Sequence, residues 1–558
     1  MKKRIIVNLI ITVLAVLFVF VDCTNLNPLY PEGAFFWCVM ITIYIAVNTL
    51  LSKFGKIFAF NNGNDFEGNT VFKGFDSFKK FPKLPIIIIA SVWIIYIGVN
   101  IGSSVLFHQK AYKDQIGEWE TRTFSSDMQA IDISKTPIVD KELAKKLADK
   151  KMGEKPSLGS QAYLGEPTIQ MVNDNLVWVV PLHHSGFFKW LTKMDGADGY
   201  IVVSATNTND VKYMENYKIK YQPDSYFFDD ILRHARVGIN GALFKGITDY
   251  SFEIDDSGNP YWVITTYKYL RGFALPEADG VIIMNAQNGK MEKYSLDNIP
   301  SWVDRVQPED FIMNQINNRG NLVHGIFNFS NLDKFQTSQG EIIVYNNGEC
   351  YLFTGITSVG SDESAIGFVM VDMITKKPYF YEMPGATEYA AQQSAEGKVQ
   401  NLKYYASFPL IINVNGEPTY FMTLKDKEGL IKQYAYVSVT DYSIVGTGQT
   451  MNEAMADYSK NIKHSTGSNT GSEVSGELEN VKGTVGRIAS YQAEGNTVYN
   501  MIISQMPDKV FTVPYSIADT ISLTKEGDTV VLEYSKTDSS LINAISFKNI
   551  TLGDVTEE

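Results

Sequence analysis

Three apolar runs open the chain. Residues 5–21 carry no charge and only Asn8 and Thr12 as polar positions, and 34–51 and 84–107 follow. About 20 apolar residues cross the hydrocarbon core of a bilayer, so the pattern predicts three spanning helices. Lys2, Lys3 and Arg4 precede the first run as they would in a secretory signal. The run ends Phe18-Val-Phe-Val-Asp22-Cys23, without a small-residue cleavage site, and Asp22 before Cys23 does not suit a lipoprotein signal. The expectation is three retained helices.

Beyond residue 108 the pattern changes to short runs of period two. Four segments read alike: Leu176–Leu182 with 199–206, 261–267 with 280–286, 350–355 with 367–372, and 419–424 with 433–439. Each is an aromatic-rich strand, a loop of variable length and a second apolar strand. Trp178, Trp262, Tyr351 and Tyr420 hold equivalent places, 84, 89 and 69 residues apart. A further strand precedes each pair across a polar turn, such as Asn173-Asp-Asn175, Asp255-Asp-Ser-Gly-Asn-Pro260, Asn346-Asn-Gly348 or Asn415-Gly-Glu-Pro418. Asn-Gly and Asp-Ser-Gly between alternating runs are hairpin signals. Helical stretches at 141–152, 225–237, 309–317 and 387–395 come before the hairpins, with Asp140 and Thr387 as N-caps. Thr450-Met-Asn-Glu453 has capping-box spacing and starts another helix.

The unit predicted is one helix on a small antiparallel sheet made of a hairpin and a third strand. It resembles the PepSY module, in the helix, the aromatic strand and the turn after the last strand, where that family tends to show Asp-x-x-Thr-Gly. Here Asn285-Ala-Gln-Asn288-Gly289 and Asp372-Met-Ile-Thr375-Lys376 stand in that place. The resemblance covers residues 140–462. It implies extracytoplasmic protein–protein regulation, of peptidases above all, and no catalytic residue.

Residues 464–476 are small and polar, the composition of a flexible linker. Beyond them 481–491, 497–505, 509–514, 529–535 and 541–551 read as strands, with a short segment at 516–523 between the third and fourth. That order resembles an OB-type barrel. The fold class expected is therefore α+β: a three-helix membrane anchor (1–107), four units (108–220, 221–300, 301–384, 385–463), the linker (464–476) and a small barrel (477–558).

Charge orients the chain and narrows its partners. The 22–33 loop has two acids and no base, whereas 52–83 carries six lysines. The positive-inside rule puts the N-terminus and the 52–83 loop in the cytoplasm and residues from about 108 onward outside. Of the net −13, residues 1–107 contribute +4, with nine basic and five acidic side chains, which leaves −17 for the remainder. Residues 477–558 have 6 basic and 12 acidic side chains, so an OB-type barrel there lacks the basic groove that nucleic acid needs. Cys350 is the only cysteine beyond the membrane segment, beside Cys23 and Cys38 in it. An internal disulfide is excluded there, and a bacterial envelope is the natural setting.

The search for chemistry gives little. His183-His184 is the only histidine pair, with Asp195 and Asp198 downstream, but adjacent strand residues face opposite sides and chelate poorly. Asp255-Asp-Ser-Gly-Asn259 has the look of a calcium loop, yet Thr266 occupies the place of its bidentate Glu. Ser522-Leu-Thr-Lys525 has Ser-x-x-Lys spacing without a Lys-Thr-Gly partner. No Gly-x-Ser-x-Gly, His-Glu-x-x-His or Walker loop is present. No catalytic, cofactor-binding or metal residue is therefore assigned. The variable loops, Lys189–Asp195 and Arg271–Pro276, are the recognition surface expected of a repeated scaffold. The expectation is a non-enzymatic, membrane-anchored scaffold or regulator that binds another envelope protein. The alternatives are an envelope hydrolase of wall or peptide whose carboxylates only the fold assembles, and a sensor or transport accessory.

Overall fold

The computed structural model describes residues 2–60, 83–128, 135–238, 242–360, 364–414, 416–465, 478–493, 496–535 and 541–552. It is a mixed α+β protein in which three apolar helices precede a series of β-sheets. The helices are Lys2–Asp22 (α1), Pro31–Phe60 (α2) and Lys83–Gly102 (α3). Each is long and apolar enough to cross a membrane. A helix that is apolar all round and uncovered by protein suits lipid. Polar pairs tie the three together: Asn8 with Asn48, the Thr12 and Tyr44 hydroxyls at 2.6 Å, and Trp93 Nε1 donating to Thr42. The third helix ends earlier than its apolar run. Ser103 Oγ turns back on the Val99 carbonyl, and Leu106 and Phe107 belong to a separate helix, Val105–Lys113. Most of the lysine-rich 52–83 loop lies outside the described residues.

Four antiparallel meanders follow. The first sheet contains Thr168–Val172, Asn175–His184, Ala197–Ser204 and Val211–Ile219. The second contains Gly246–Ile254, Pro260–Arg271, Ala274–Asn285 and Met291–Tyr294. The third contains Ile342–Asn346, Glu349–Ser358, Ser364–Asp372 and Pro378–Ala386, with Glu120–Arg122 added parallel at its far edge. The fourth contains Leu410–Val414, Glu417–Lys425, Ile431–Ser438 and Val445–Gly448. Every sheet thus has a fourth strand where the pattern suggests three. Three of those strands are short or half-exposed and carry little apolar alternation; the other, Pro378–Ala386, puts Tyr379, Tyr381 and Ala386 in the core.

Most of the longer helices beside the sheets start at a side-chain cap, Glu309–Asn321 after Pro308 being the exception. Asp140 accepts from Leu143 N at 2.9 Å and starts Lys141–Gly153, whose Leu143, Ala144 and Ala148 pack on Val180, Leu182, Ile201 and Val203. Asp230 caps Ile231–Val237, Thr387 caps Glu388–Lys398, and Thr450 caps Met451–Ser465 by accepting from Glu453 N, while the Glu453 carboxylate accepts from Gln449 N. The 225–237 stretch is not one helix: a 3-10 turn, Phe227–Asp229, precedes Ile231–Val237.

The sheets touch in sequence and close a ring. Gln170, on the first, grips the edge of the second through Ile254: its Oε1 accepts from Ile254 N at 2.9 Å and its Nε2 donates to Ile254 O at 2.7 Å. Gln307 donates to Ile374 O between second and third. Ala386 and Val439 join third and fourth, where Tyr420 also donates to Ala386 O. The fourth returns to the first through the Lys425–Asp140 ion pair and a Lys146 bond to Glu428 O. Such radial repetition leaves each sheet's first edge facing a common space.

The last five strands, Leu478–Ala493, Asn496–Ile503, Met506–Pro514, Thr529–Ser535 and Leu541–Asn549, close into a barrel. The third and fifth pair parallel, and 3-10 turns at Tyr515–Ile517 and Asp519–Leu523 lie between the third and fourth. Beyond Ser465, the 464–476 linker lies outside the described residues.

Candidate functional site

A cavity of about 740 Å³ occupies the centre of the ring, walled by residues of all four sheets and by the starts of Lys141–Gly153 and Glu309–Asn321. In three sheets the strand facing it is broken in two, both pieces pairing with one long partner. Ala162–Leu164 precedes Thr168–Val172, Phe335–Thr337 precedes Ile342–Asn346, and Tyr405–Ala406 precedes Leu410–Val414. In the second sheet the strand is continuous but bulges between Thr248 and Tyr250, and Asp249 stands on the bulge with φ 31°. Bulges re-aim side chains at functional sites.

Register makes the four interruptions equivalent. Ile169 pairs with Trp178, Phe252 with Trp262, Val344 with Tyr351 and Ile411 with Tyr420. Three residues before those partners stand Glu166, Asp249, Glu341 and Phe408. All four line the cavity. Acid therefore occupies three of four corresponding positions on a repeated scaffold.

Around that acidic set lie Asp140, Glu142, Glu309 and Asp310, against only Lys141 and Arg305 among the lining cations. Several of these acids have partners. Glu166 meets Lys145 at 2.8 Å and Lys141 at 3.3 Å, Glu142 meets Lys146 at 2.7 Å, and Glu309 meets Arg305 at 3.1 Å. Among the described residues Asp249, Asp310 and Glu341 are in no ion pair. Partial loss of hydration at the cavity wall raises the Glu309 and Asp310 carboxyls above the usual range, and the charge on Asp249 adds to both; Glu341 adds to Glu309. Like charges round one space disfavour ionisation and focus a field that attracts cations.

Further along the same strands the cavity ends. Asp304 accepts from Met171 N at 2.6 Å and from the Tyr345 hydroxyl at 2.8 Å, so the first and third sheets meet there. Beside Arg305, Glu253 is fully buried. It accepts from Ser251 at 2.6 Å, and burial pushes its carboxyl up to about 7.

The motifs singled out in the sequence lie elsewhere. His183 and His184 end a strand and are both buried. His183 packs on Tyr163 and Trp262, and burial pushes it down to about 4. Asp198 is taken by Lys193 and Lys218, and Asp195 also faces Lys218. Asp255 accepts from Ser257 N and Asn259 N within its own turn. Ser522 lies on a 3-10 turn of the barrel, and Lys525 follows it. The variable loops do not face the cavity. Residues 187–192 form a short helix whose Phe187 packs on Tyr226, and the neighbouring Phe228 rests on Phe20 of α1. In the 271–276 loop, Phe273 sits on α3, its N–H bound by Ser103 and its ring against Tyr96.

No protein family matches the chain, and no curated protein matches it in sequence. Among solved structures, a levansucrase of B. megaterium aligns at 8% identity over 76% of this chain and 99% of its own, with a TM-score of 0.19. An α-L-arabinofuranosidase from Lactobacillus brevis aligns at 9% over 69% and 94%, with a TM-score of 0.17. The polysaccharide lyase Uly1 aligns at 8% over 67% and 78%, with a TM-score of 0.18. Likenesses at this level carry no argument.

Proposed function

We propose that this chain is a non-enzymatic, membrane-anchored envelope protein whose ring receives a basic segment of another envelope protein. The observation that carries the reading is the acid triad Glu166, Asp249 and Glu341 at equivalent places round one cavity. A cavity of that volume admits a few side chains, and surplus negative charge selects lysine or arginine. Lysine-rich flanks orient the anchor with the ring outside the cytoplasm. The PepSY-like reading of the units is supported by their two turns: Asn285 accepts from Gln287 N and Asn288 N, as Asp372 does from Ile374 N and Thr375 N. The OB-like reading of the barrel is supported by its strand order and its one parallel pair.

The test is photo-crosslinking in cells from a reactive residue placed at Tyr250 or Phe408 of the full-length protein. A single envelope protein trapped there, and lost in the Glu166→Gln/Asp249→Asn/Glu341→Gln variant, is the expected result. Absence of any adduct from both positions would sink the reading.

A hydrolase is the second reading, and one observation favours it. Glu309 and Asp310 stand side by side at the cavity with raised carboxyls, a property of general acids. Release of wall fragments by the purified protein, abolished by Glu309→Gln, would establish it in place of the first.

A further inference from the structure

A second cavity lies where the ring meets the membrane helices. It is an apolar cleft of about 350 Å³ between α1 and α2, walled by Val16, Val19, Trp37 and Met40 among others. Two cations, Arg233 and Arg236, stand at its head. Arg233 Nε donates to Phe20 O at 2.9 Å, and Arg236 Nε donates to Cys23 O at 3.1 Å, so both reach the last turn and end of α1. The remaining bonds of Arg236 also go to carbonyls, those of Ala242 and Lys245.

Arg236 is only 9% exposed, yet among the described residues it forms no ion pair, and neither does Arg233. Asp230 faces Arg233 but is engaged in capping the helix that carries both arginines, and Glu32 acts on Arg236 only at a distance. A buried cation without a counter-charge is costly. Here the uncompensated charge adjoins a dry cleft that opens between apolar helices. Trp37, near the start of α2, lines the cleft with its indole N–H donating to Leu26 O, and aromatic side chains of this kind are enriched at the edge of a bilayer.

We propose that this cleft is a binding site for an anionic phospholipid, its phosphate held by Arg233 and Arg236 and one acyl chain lying between α1 and α2. The inference rests on the membrane reading of the three helices, and not on the ring's ligand. Arginine suits the site because its fork meets phosphate oxygens in pairs. The carbonyls hold each guanidinium in place through part of its five donors, which leaves others for the phosphate.

The test is native mass spectrometry of the full-length protein in neutral detergent, titrated with phosphatidylglycerol, phosphatidylcholine or glycerol 3-phosphate. One equivalent of phosphatidylglycerol is expected to stay bound, at least tenfold more tightly than phosphatidylcholine. Arg233→Gln should weaken it about fivefold, the contribution of one near-surface cation. Val16→Trp fills the cleft without touching either arginine and should weaken the lipid as much, leaving binding of soluble phosphate unchanged. Equal retention of phosphatidylcholine would overturn the proposal. So would glycerol 3-phosphate competing as well as the lipid, since the cleft would then hold no chain. A Val16→Trp protein that spans, folds and binds phosphatidylglycerol normally would overturn it too.

Discussion

Removing the charge from Asp140 should loosen the ring at its closure. Lys425, on the fourth sheet, is 1% exposed at its side chain, and its ammonium meets Asp140 at the head of the first unit's helix. Asp140 itself is 31% exposed. The two partners are therefore unequal. In Asp140→Asn the cap survives, because Asn caps as well as Asp, but a buried ammonium loses its carboxylate. Breaking a buried pair from one side costs 3–5 kcal/mol in general, and about 3 is expected here, since Glu142 also acts on Lys425 across a short distance. Lys425→Met removes the buried charge instead and leaves a capping carboxylate partly in water, so it should cost about 1 kcal/mol or less. The double variant should sit near Lys425→Met. The assay is urea unfolding of the full-length protein followed by tryptophan emission. Trp178 Nε1 donates to Val139 O at 2.7 Å, next to the pair, and reports on that junction. Asp140→Asn within 0.5 kcal/mol of wild type, or a double variant as weak as Asp140→Asn, would refute the reasoning.

Glu253→Gln should change how stability depends on pH. Burial lifts the folded carboxyl from 4.5 to about 7, so the folded state keeps a proton that the unfolded chain releases. Stability is full below about 4.5 and falls as pH rises toward 7, by about 3 kcal/mol in all; unfolding scans from pH 4 to 8 should show that slope in wild type and lose it in the variant. Gln170→Ala strips the amide that pairs both Ile254 backbone groups and leaves them buried. A loss of about 2–4 kcal/mol is expected by urea unfolding, whereas an isosteric Gln170→Glu at low pH should recover part of it.

The aromatic anchors were legible because a strand buried on both faces reads as a near-continuous apolar run, which stands out from its polar turns. Trp178, Trp262, Tyr351 and Tyr420 all lie on the second strand of their sheets, with burial unbroken through most of Glu417–Lys425 and Glu349–Ser358. Three of the fourth strands escaped for the opposite reason. Val211–Ile219 has half-exposed alternation with Lys and Glu, Met291–Tyr294 is four residues long, and Val445–Gly448 holds two glycines. The cavity acids lie where the first strands break or bulge, so they belong to no periodicity. Only the offset of three from each anchor's partner finds them, and that offset needs the pairing register. Gln170 was equally silent: a polar residue inside a strand reads as surface until the neighbouring sheet is in place.

The interrupted edge strands also bear on how such a ring can change. A residue at a break contributes no rung to the ladder, so Asp249 and Glu341, in no ion pair among the described residues, can be exchanged with little effect on the packing behind them, whereas Glu166 holds Lys141 and Lys145 and Phe408 packs on a core. At those two corners the charge of the cavity and the stability of the fold rest on separate positions. Exchanging Asp249 and Glu341 alone changes the charge of the cavity on the same frame, and Phe408 is a corner that already differs from its three counterparts.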